Sequence, residues 1–267
     1  MTSTVSWQRW LDRTGQAAQQ WLLGWWRLLE LGAVILVLVL SPSSYRRANR
    51  PALARHIYLH TAPILAGFTV LCALVTVVLT RIVLVTALSY GLSQYALQLV
   101  IRVLVLELIP LTAALFVALR CTIPDGAELS AMQTAGQLDA MRRQGQDPVR
   151  SVVLPRVIGG LFAGVTLAAL SSVVTLVVTY LASYGFTVSG LAVYTRLFGQ
   201  VFSPAVSLIF VLKILFFCLA VSLIPMASAL YDPHTTRLRT SAEIRGLVRM
   251  FSVILLVEIA SLVGNYY

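Results

Sequence analysis

Apolar residues in this chain come in long runs separated by short polar stretches. A helix that crosses a bilayer needs about 17–25 apolar residues, because the hydrocarbon core is about 30 Å thick and a helix rises about 1.5 Å per residue. Five runs have that length: 57–87, 93–119, 157–184, 204–230 and 247–264. They do not alternate apolar with polar positions, and they run well past the ~10 residues of a barrel strand. Lipid forces each backbone polar group to be satisfied within its own segment, so helices remain as the spanning element. The pattern predicts an all-α integral membrane protein with five transmembrane helices, forming one domain over residues 1–267.

Two further stretches are intermediate. Residues 21–40 are long enough to span, but Trp21, Trp25 and Trp26 cluster with Arg27 and Glu30 at one end. Tryptophan favours the membrane–water boundary. The expectation is therefore an interfacial helix lying along the surface, within a cytoplasmic segment 1–56. Residues 185–203 are too polar to span and too apolar for an open loop; an amphipathic periplasmic elbow is predicted there.

Residues 125–148, "DGAELSAMQTAGQLDAMRRQGQDP", form a polar island between the second and third runs. Pro124-Asp125 reads as a helix start, with Asp125 as cap and Glu128 returning a bond to the cap's own N–H. Gly145 ends the helix. Asp147-Pro148 starts another, which Pro155 is expected to break before the third span. Leu129, Met132, Ala135, Leu138 and Met141 recur every three positions, so the apolar stripe drifts around the helix. Two capped helices are more than a flexible connector needs. The helix over 125–143 is therefore read as a docking surface.

Composition agrees with the pattern. The chain is 58% hydrophobic and 11% charged, whereas a soluble domain carries about 25% charged residues. The first twenty residues lack the apolar core and cleavage motif of a signal peptide. The net charge is +10, and its placement is uneven: seven of the 20 Lys/Arg lie at 1–56, five between the second and third spans, and four between the fourth and fifth. Placing those three segments in the cytoplasm satisfies the positive-inside rule, with the N-terminus inside and the C-terminus outside. A sixth span at 21–40 would put Arg9 and Arg13 on the wrong face. The positive charge is thus a topology signal and an attraction to anionic lipid; no nucleic-acid partner is expected. Cys72, Cys121 and Cys218 are scattered in or beside apolar runs and read as small buried hydrophobes. His56 and His60 are four apart on a predicted helix, the one histidine arrangement with metal-ligand potential. No acidic residue stands at ligand spacing nearby, so a helix end at the membrane interface is expected and no metal site.

Five ionisable residues fall inside apolar runs: Arg81, Arg102, Glu107, Lys213 and Glu258. Such a residue costs at least about 2.5–3.5 kcal/mol at the bilayer centre, so it is usually paired and faces protein or a cavity. Arg102 and Glu107 are about 140° apart around a helix and make poor partners. Pairing between helices is expected instead, with Glu107, Lys213 and Glu258 clustered at the base of a cavity among spans two, four and five. Arg81 and Arg102 lie nearer the outer ends and are candidates for a lipid headgroup phosphate; the alternative is snorkelling to the interface.

Several motifs carry a resemblance. Glu107…Pro110, Glu128-Leu129-Ser130-Ala131-Met132, Ala135-Gly136-Gln137-Leu138-Asp139-Ala140-Met141, Gly145-Gln146-Asp147-Pro148 and Pro155-Arg156 are similar to the signature elements of MlaE/YrbE permeases. These are the membrane subunits of Mce-associated ABC lipid transporters. The chain departs from that signature at Leu106, where Arg is usual, at Ala135-Gly136, where Thr-Glu is usual, and over the segment 231–246. The resemblance implies matched charged positions at Glu107, Lys213 and Glu258. It also implies an ATPase-coupling surface, for which Glu128, Leu129, Met132, Gln137, Leu138, Asp139, Met141 and Arg142 are the candidates. The implied assembly is a homodimer in the bacterial inner membrane, with a cytoplasmic ABC ATPase dimer and a periplasmic Mce-domain hexamer. Phospholipid is the implied cargo, and a small STAS-type cytoplasmic subunit is an optional further partner. No GxxxxGK[ST] motif occurs, so no cofactor is expected on this chain; ATP and Mg²⁺ belong to the partner ATPase. The alternative is a stand-alone secondary transporter or channel using Glu107 and Glu258, although no internal repeat supports one. No Ser/His/Asp or HExxH pattern points to an intramembrane enzyme.

Overall fold

In a computed structural model, residues 23–41, 50–231 and 239–266 are described, and all regular structure among them is helical. The helices are α1 (Leu23–Leu40), α2 (Arg50–Ser89), α3 (Ser93–Ile101), α4 (Ile109–Val117), α5 (Ile123–Thr134), α6 (Gln137–Arg143), α7 (Leu154–Tyr184), α8 (Leu191–Val201), α9 (Pro204–Tyr231) and α10 (Arg239–Tyr266). The five runs read as spans all lie on long helices, and α1 is a sixth helix apolar and long enough to cross a membrane. At 18 residues, α1 would be about 27 Å long, near the lower limit for spanning. Its buried residues, Leu31 and Ile35, belong to a cluster with Leu129, Leu138, Leu154, Met226 and Ala229. Those residues sit at the ends of the bundle helices, at the end that also carries Arg142, Arg150 and Arg156.

Three π-helical segments interrupt the helices, at Arg102–Leu108, Ala118–Thr122 and Val149–Val153. Each stops two residues before a proline: Pro110, Pro124 and Pro155. A proline in an α-helix removes one N–H and drives its ring into the carbonyl four residues back. Those carbonyls belong to Leu106, Arg120 and Ser151, all inside the widened turns. The π turn absorbs the clash, and the helix continues.

This corrects two expectations for the polar island. Pro124 does not start a separate helix, because α5 is the direct continuation of span two, and residues 95–134 form one rod. Pro155 does not break the chain before span three, since Val149–Val153 runs straight into α7. Asp125 is consequently not a cap; its carboxylate faces His60 at 3.1 Å. The break comes instead at Gly136, whose φ of 71° lies in the left-handed region. Glycine adopts it without the clash a Cβ would bring, so this residue ends α5 and lets α6 turn away. Gly145 also ends its helix with positive φ. Asp147 caps the next turn as expected, accepting a hydrogen bond from the Val149 N–H at 3.0 Å.

Helix α7 is central, with α2 on one side and α9 on the other. The approach to α9 uses small residues: a Cβ on Gly160 would lie 2.8 Å from Ser222 Oγ, and one on Gly164 would lie 2.5 Å from Cys218 Sγ. Two glycines four apart, facing Cys218 and Ser222 four apart, form the small-residue seam by which membrane helices pack closely. Cys72, Cys121 and Cys218 are free and buried in the same core cluster as Ile64, Phe68 and Leu167. Residues 185–203 contain the amphipathic helix α8, held by Tyr194, whose hydroxyl donates to the Leu176 carbonyl at 2.7 Å. Burial pushes that phenol's pKa up. The segment 232–238 lies outside the described residues, as do residues 1–22.

Gly164→Val is expected to lower stability in detergent by about 1–3 kcal/mol, the cost of overpacking a dense seam. Gly199→Ala, where no atom lies within 4 Å of the added Cβ, is expected to leave the melting temperature unchanged or slightly raised. Thermal unfolding followed by circular dichroism checks both.

Candidate functional site

Lys213 lies in the middle of α9, in a segment lined by Ile214, Phe217 and Leu212. Its side chain is 1% exposed, so the ammonium cannot snorkel to water. Three groups meet it. Glu107 Oε2 accepts a hydrogen bond from Nζ. Glu258 Oε2 on α10 lies 2.8 Å away, in an ion pair. The Leu106 carbonyl accepts from Nζ at 3.1 Å, and the Phe217 ring centroid is 5.7 Å from Nζ. The three charged residues read from the sequence as a cluster are thus brought together by span two, α9 and α10.

The local chain geometry explains the third of these, the Leu106 carbonyl. Pro110 stands four residues after Leu106 and has no N–H to offer its carbonyl. The π segment carries both Leu106 and Glu107, so the same wide turn presents a backbone acceptor and a carboxylate to one ammonium. Sequence reasoning missed this acceptor, although Pro110 at four residues' distance was the visible signal. Two carboxylates face one lysine, and Glu107 Oε1 has no hydrogen-bond partner. Beside the cluster, a groove of ≈ 360 Å³ opens between α9 and α10, lined by Ile209, Leu212, Phe216, Leu256 and Val257, with Lys213 at its floor. The lipid-headgroup candidates stand elsewhere: Arg81 is exposed on α2, and Arg102 is half-buried at the first residue of the π segment.

The second locus is the polar segment α5–Gly136–α6. Leu129 and Leu138 are 0% and 2% exposed and pack with Val153, Leu154 and Met226. They hold the segment to the bundle and are not available for docking. Met132 is half-buried beneath the Arg156 guanidinium, 3.9 Å from its sulfur, and Met141 is also half-buried. The outward face carries Glu128, Gln137, Asp139 and Arg142. Glu128 pairs with Arg156 at 3.1 Å, and Asp139 pairs with Arg142 at 3.0 Å. Gln133 Nε2 donates to the Leu230 carbonyl at 3.1 Å, which ties the segment to the last turn of α9. Arg27 on α1 donates to the next carbonyl, Tyr231, at 3.2 Å. Both bonds satisfy helix-terminal carbonyls that have no partner within the helix.

Comparison with known families matches residues 53–263 to the family described as Permease MlaE. A comparison with curated proteins gives no match.

Lys213→Met leaves the Glu107 and Glu258 carboxylates buried without their cation. Breaking a buried pair on one side costs about 3–5 kcal/mol. Glu258→Gln is expected to cost less, because Lys213 keeps Glu107 and the Leu106 carbonyl. Melting temperatures of the two variants in one detergent should therefore rank Lys213→Met lowest, and a reversed order would contradict the assigned geometry.

Proposed function

The chain belongs to the MlaE permease family, and on that premise we propose that it is the membrane subunit of an ATP-driven lipid transporter. A cytoplasmic ABC ATPase dimer docks on the outward face of residues 125–143. The carrying observation is the build of that segment: buried Leu129 and Leu138 anchor it, while Gln137, Asp139 and Arg142 stand in the open. A rigid polar ledge of this kind suits a partner that must push on the bundle.

The positive-inside rule places the arginine-rich end in the cytoplasm. This orients the protein with α6 inside and α8 outside, in the inner membrane of a bacterium. Helix α1 then lies along the cytoplasmic interface in this reading, with Leu31 and Ile35 buried against residues of that end. The apolar groove between α9 and α10 accepts an acyl chain. Phospholipid passes between two copies of the chain and a periplasmic Mce-domain hexamer. A small STAS-type subunit is a further cytoplasmic partner in this reading. The chain binds no nucleotide itself; ATP and Mg²⁺ are held by the ATPase.

The experiment is co-purification with the ATPase. Gln137→Arg and Asp139→Arg are expected to reduce the recovered ATPase about tenfold, an effect of about 1.4 kcal/mol. Stability should hold, because surface substitutions usually stay within about 0.5 kcal/mol. Leu129→Asp is no substitute, since it would unseat the segment. Full recovery of the ATPase with both surface variants would overturn the docking assignment. Solute uptake by the chain alone, driven by an ion gradient in vesicles, would favour a secondary transporter.

A further inference from the structure

The polar ends of α2, α5 and α7 meet at a group of side chains that the transport reading does not use. His56 and His60 lie one turn apart on the same face of α2, with ring centroids 5.7 Å apart and planes at 74°. The fold brings Asp125 of α5 against them. One ligand atom from each of the three residues falls within 4.8 Å of the other two. We propose that His56, His60 and Asp125 form a binding site for a divalent transition-metal ion of the zinc class.

The contact between His60 and Asp125 supports this. His60 Nε2 and Asp125 Oδ2 are 3.1 Å apart, yet Asp125 Oδ2 is buried and makes no hydrogen bond. The two atoms are close without the alignment of a donor and an acceptor. A shared ion resolves such a pair, because both atoms can lie about 2.1 Å from one metal while remaining 3.1 Å apart. His56 supplies the third ligand atom, within 4.8 Å of the other two. Two ligands of one ion can be at most about 4.2 Å apart at these bond lengths, and the half-buried His56 side chain has room to rotate to meet that limit. His60 is 6% exposed and fixed. A Cβ on Gly159 would lie 2.8 Å from its Nδ1, so the ring packs against α7 through Nδ1 and leaves Nε2 for the ion.

Charge favours a cation there. Glu128 and Arg156 are charged neighbours of the site, and these pair with each other at 3.1 Å. Asp125 is left facing two imidazoles. Cys121 is engaged elsewhere, its thiol 3.7 Å from the His60 carbonyl. Imidazole nitrogen with carboxylate oxygen is a donor set that suits zinc, iron, nickel or copper over magnesium or calcium. Three protein ligands leave one position of a tetrahedral ion for water. The site would fasten the start of span one to the start of α5. It rests on side-chain geometry alone and stands whether or not the docking proposal does.

The test uses the full chain in detergent, freed of any histidine tag and stripped by a chelator. Titration with Zn²⁺ against a chromogenic chelator is expected to give one ion per chain. His60→Gln and Asp125→Asn should each weaken binding about tenfold or more, since even outer-shell partners contribute 10–100-fold; His234→Gln should not. X-ray absorption at the zinc edge of the wild-type protein should show two imidazoles in the first shell, a readout that needs no variant to fold. No saturable uptake, uptake unchanged in both ligand variants, or a first shell without imidazole would each overturn the assignment.

Discussion

An ammonium group inside a hydrocarbon layer must be neutralised where it stands, and Lys213 is neutralised from two sides. Span two supplies Glu107 and the Leu106 carbonyl; α10 supplies Glu258. Each ion alone would cost several kcal/mol to bury. The contact is directional, unlike the apolar packing around it, which tolerates sliding. It therefore fixes the rotation of α9 about its axis and the height of its neighbours. With α9 set, the seam of Gly160 and Gly164 on α7 falls opposite Ser222 and Cys218, and α2 packs on the far side of α7.

The same helix organises the polar end by its terminus. The last carbonyls of α9 are taken by Gln133 of α5 and Arg27 of α1, and a cation at a helix C-terminus also meets the negative end of the helix dipole. A Cβ on Gly126 would lie 3.1 Å from the Pro225 carbonyl, so α5 comes within backbone distance of α9 here. The ledge of α5 and α6 is thus fixed by hydrogen bonds to backbone, by Leu129 and Leu138 in the core, and by the Glu128–Arg156 pair. None of these uses Gln137, Asp139 or Arg142, which stay exposed.

The spans were legible because lipid imposes a simple rule on composition: 204–230 was read where α9 runs Pro204–Tyr231, and 57–87 falls inside α2. The ion cluster was legible for a related reason, since three charges in apolar runs have nowhere else to go. What escaped was local. Pro124 and Pro155 read as boundaries because proline stops a regular α-helix; the π turns ahead of them, which have no residue signature of their own, let the helix pass. Gly136 read as an interior position of one helix over 125–143, whereas it is the break. Once the helix is broken there, the every-third spacing of Leu129 and Leu138 no longer describes one drifting stripe. It describes the end of a long rod and one short helix, each with one leucine turned inward. Asp125 looked like a cap for the same reason, and only the fold shows it beside His60.

A consequence follows from the continuity of residues 95–134. Glu107 and Leu129 are on one helical rod, separated by about 33 Å at 1.5 Å per residue. A displacement imposed on the ledge reaches the ion cluster along the axis of that rod, without passing through a loop. Between the two points lies one π segment, Ala118–Thr122, and Glu107 itself sits in another. A π turn holds its extra residue at a cost, and returning it to α-helical pitch rotates everything beyond it by about 100°. The wide turns that admit Pro110 and Pro124 are therefore also the places where span two can yield. Because Lys213 holds both Leu106 and Glu107, such a rotation at the first of them would have to break the charge cluster, which makes the ion pair a lock on the register of the helix that carries the ledge.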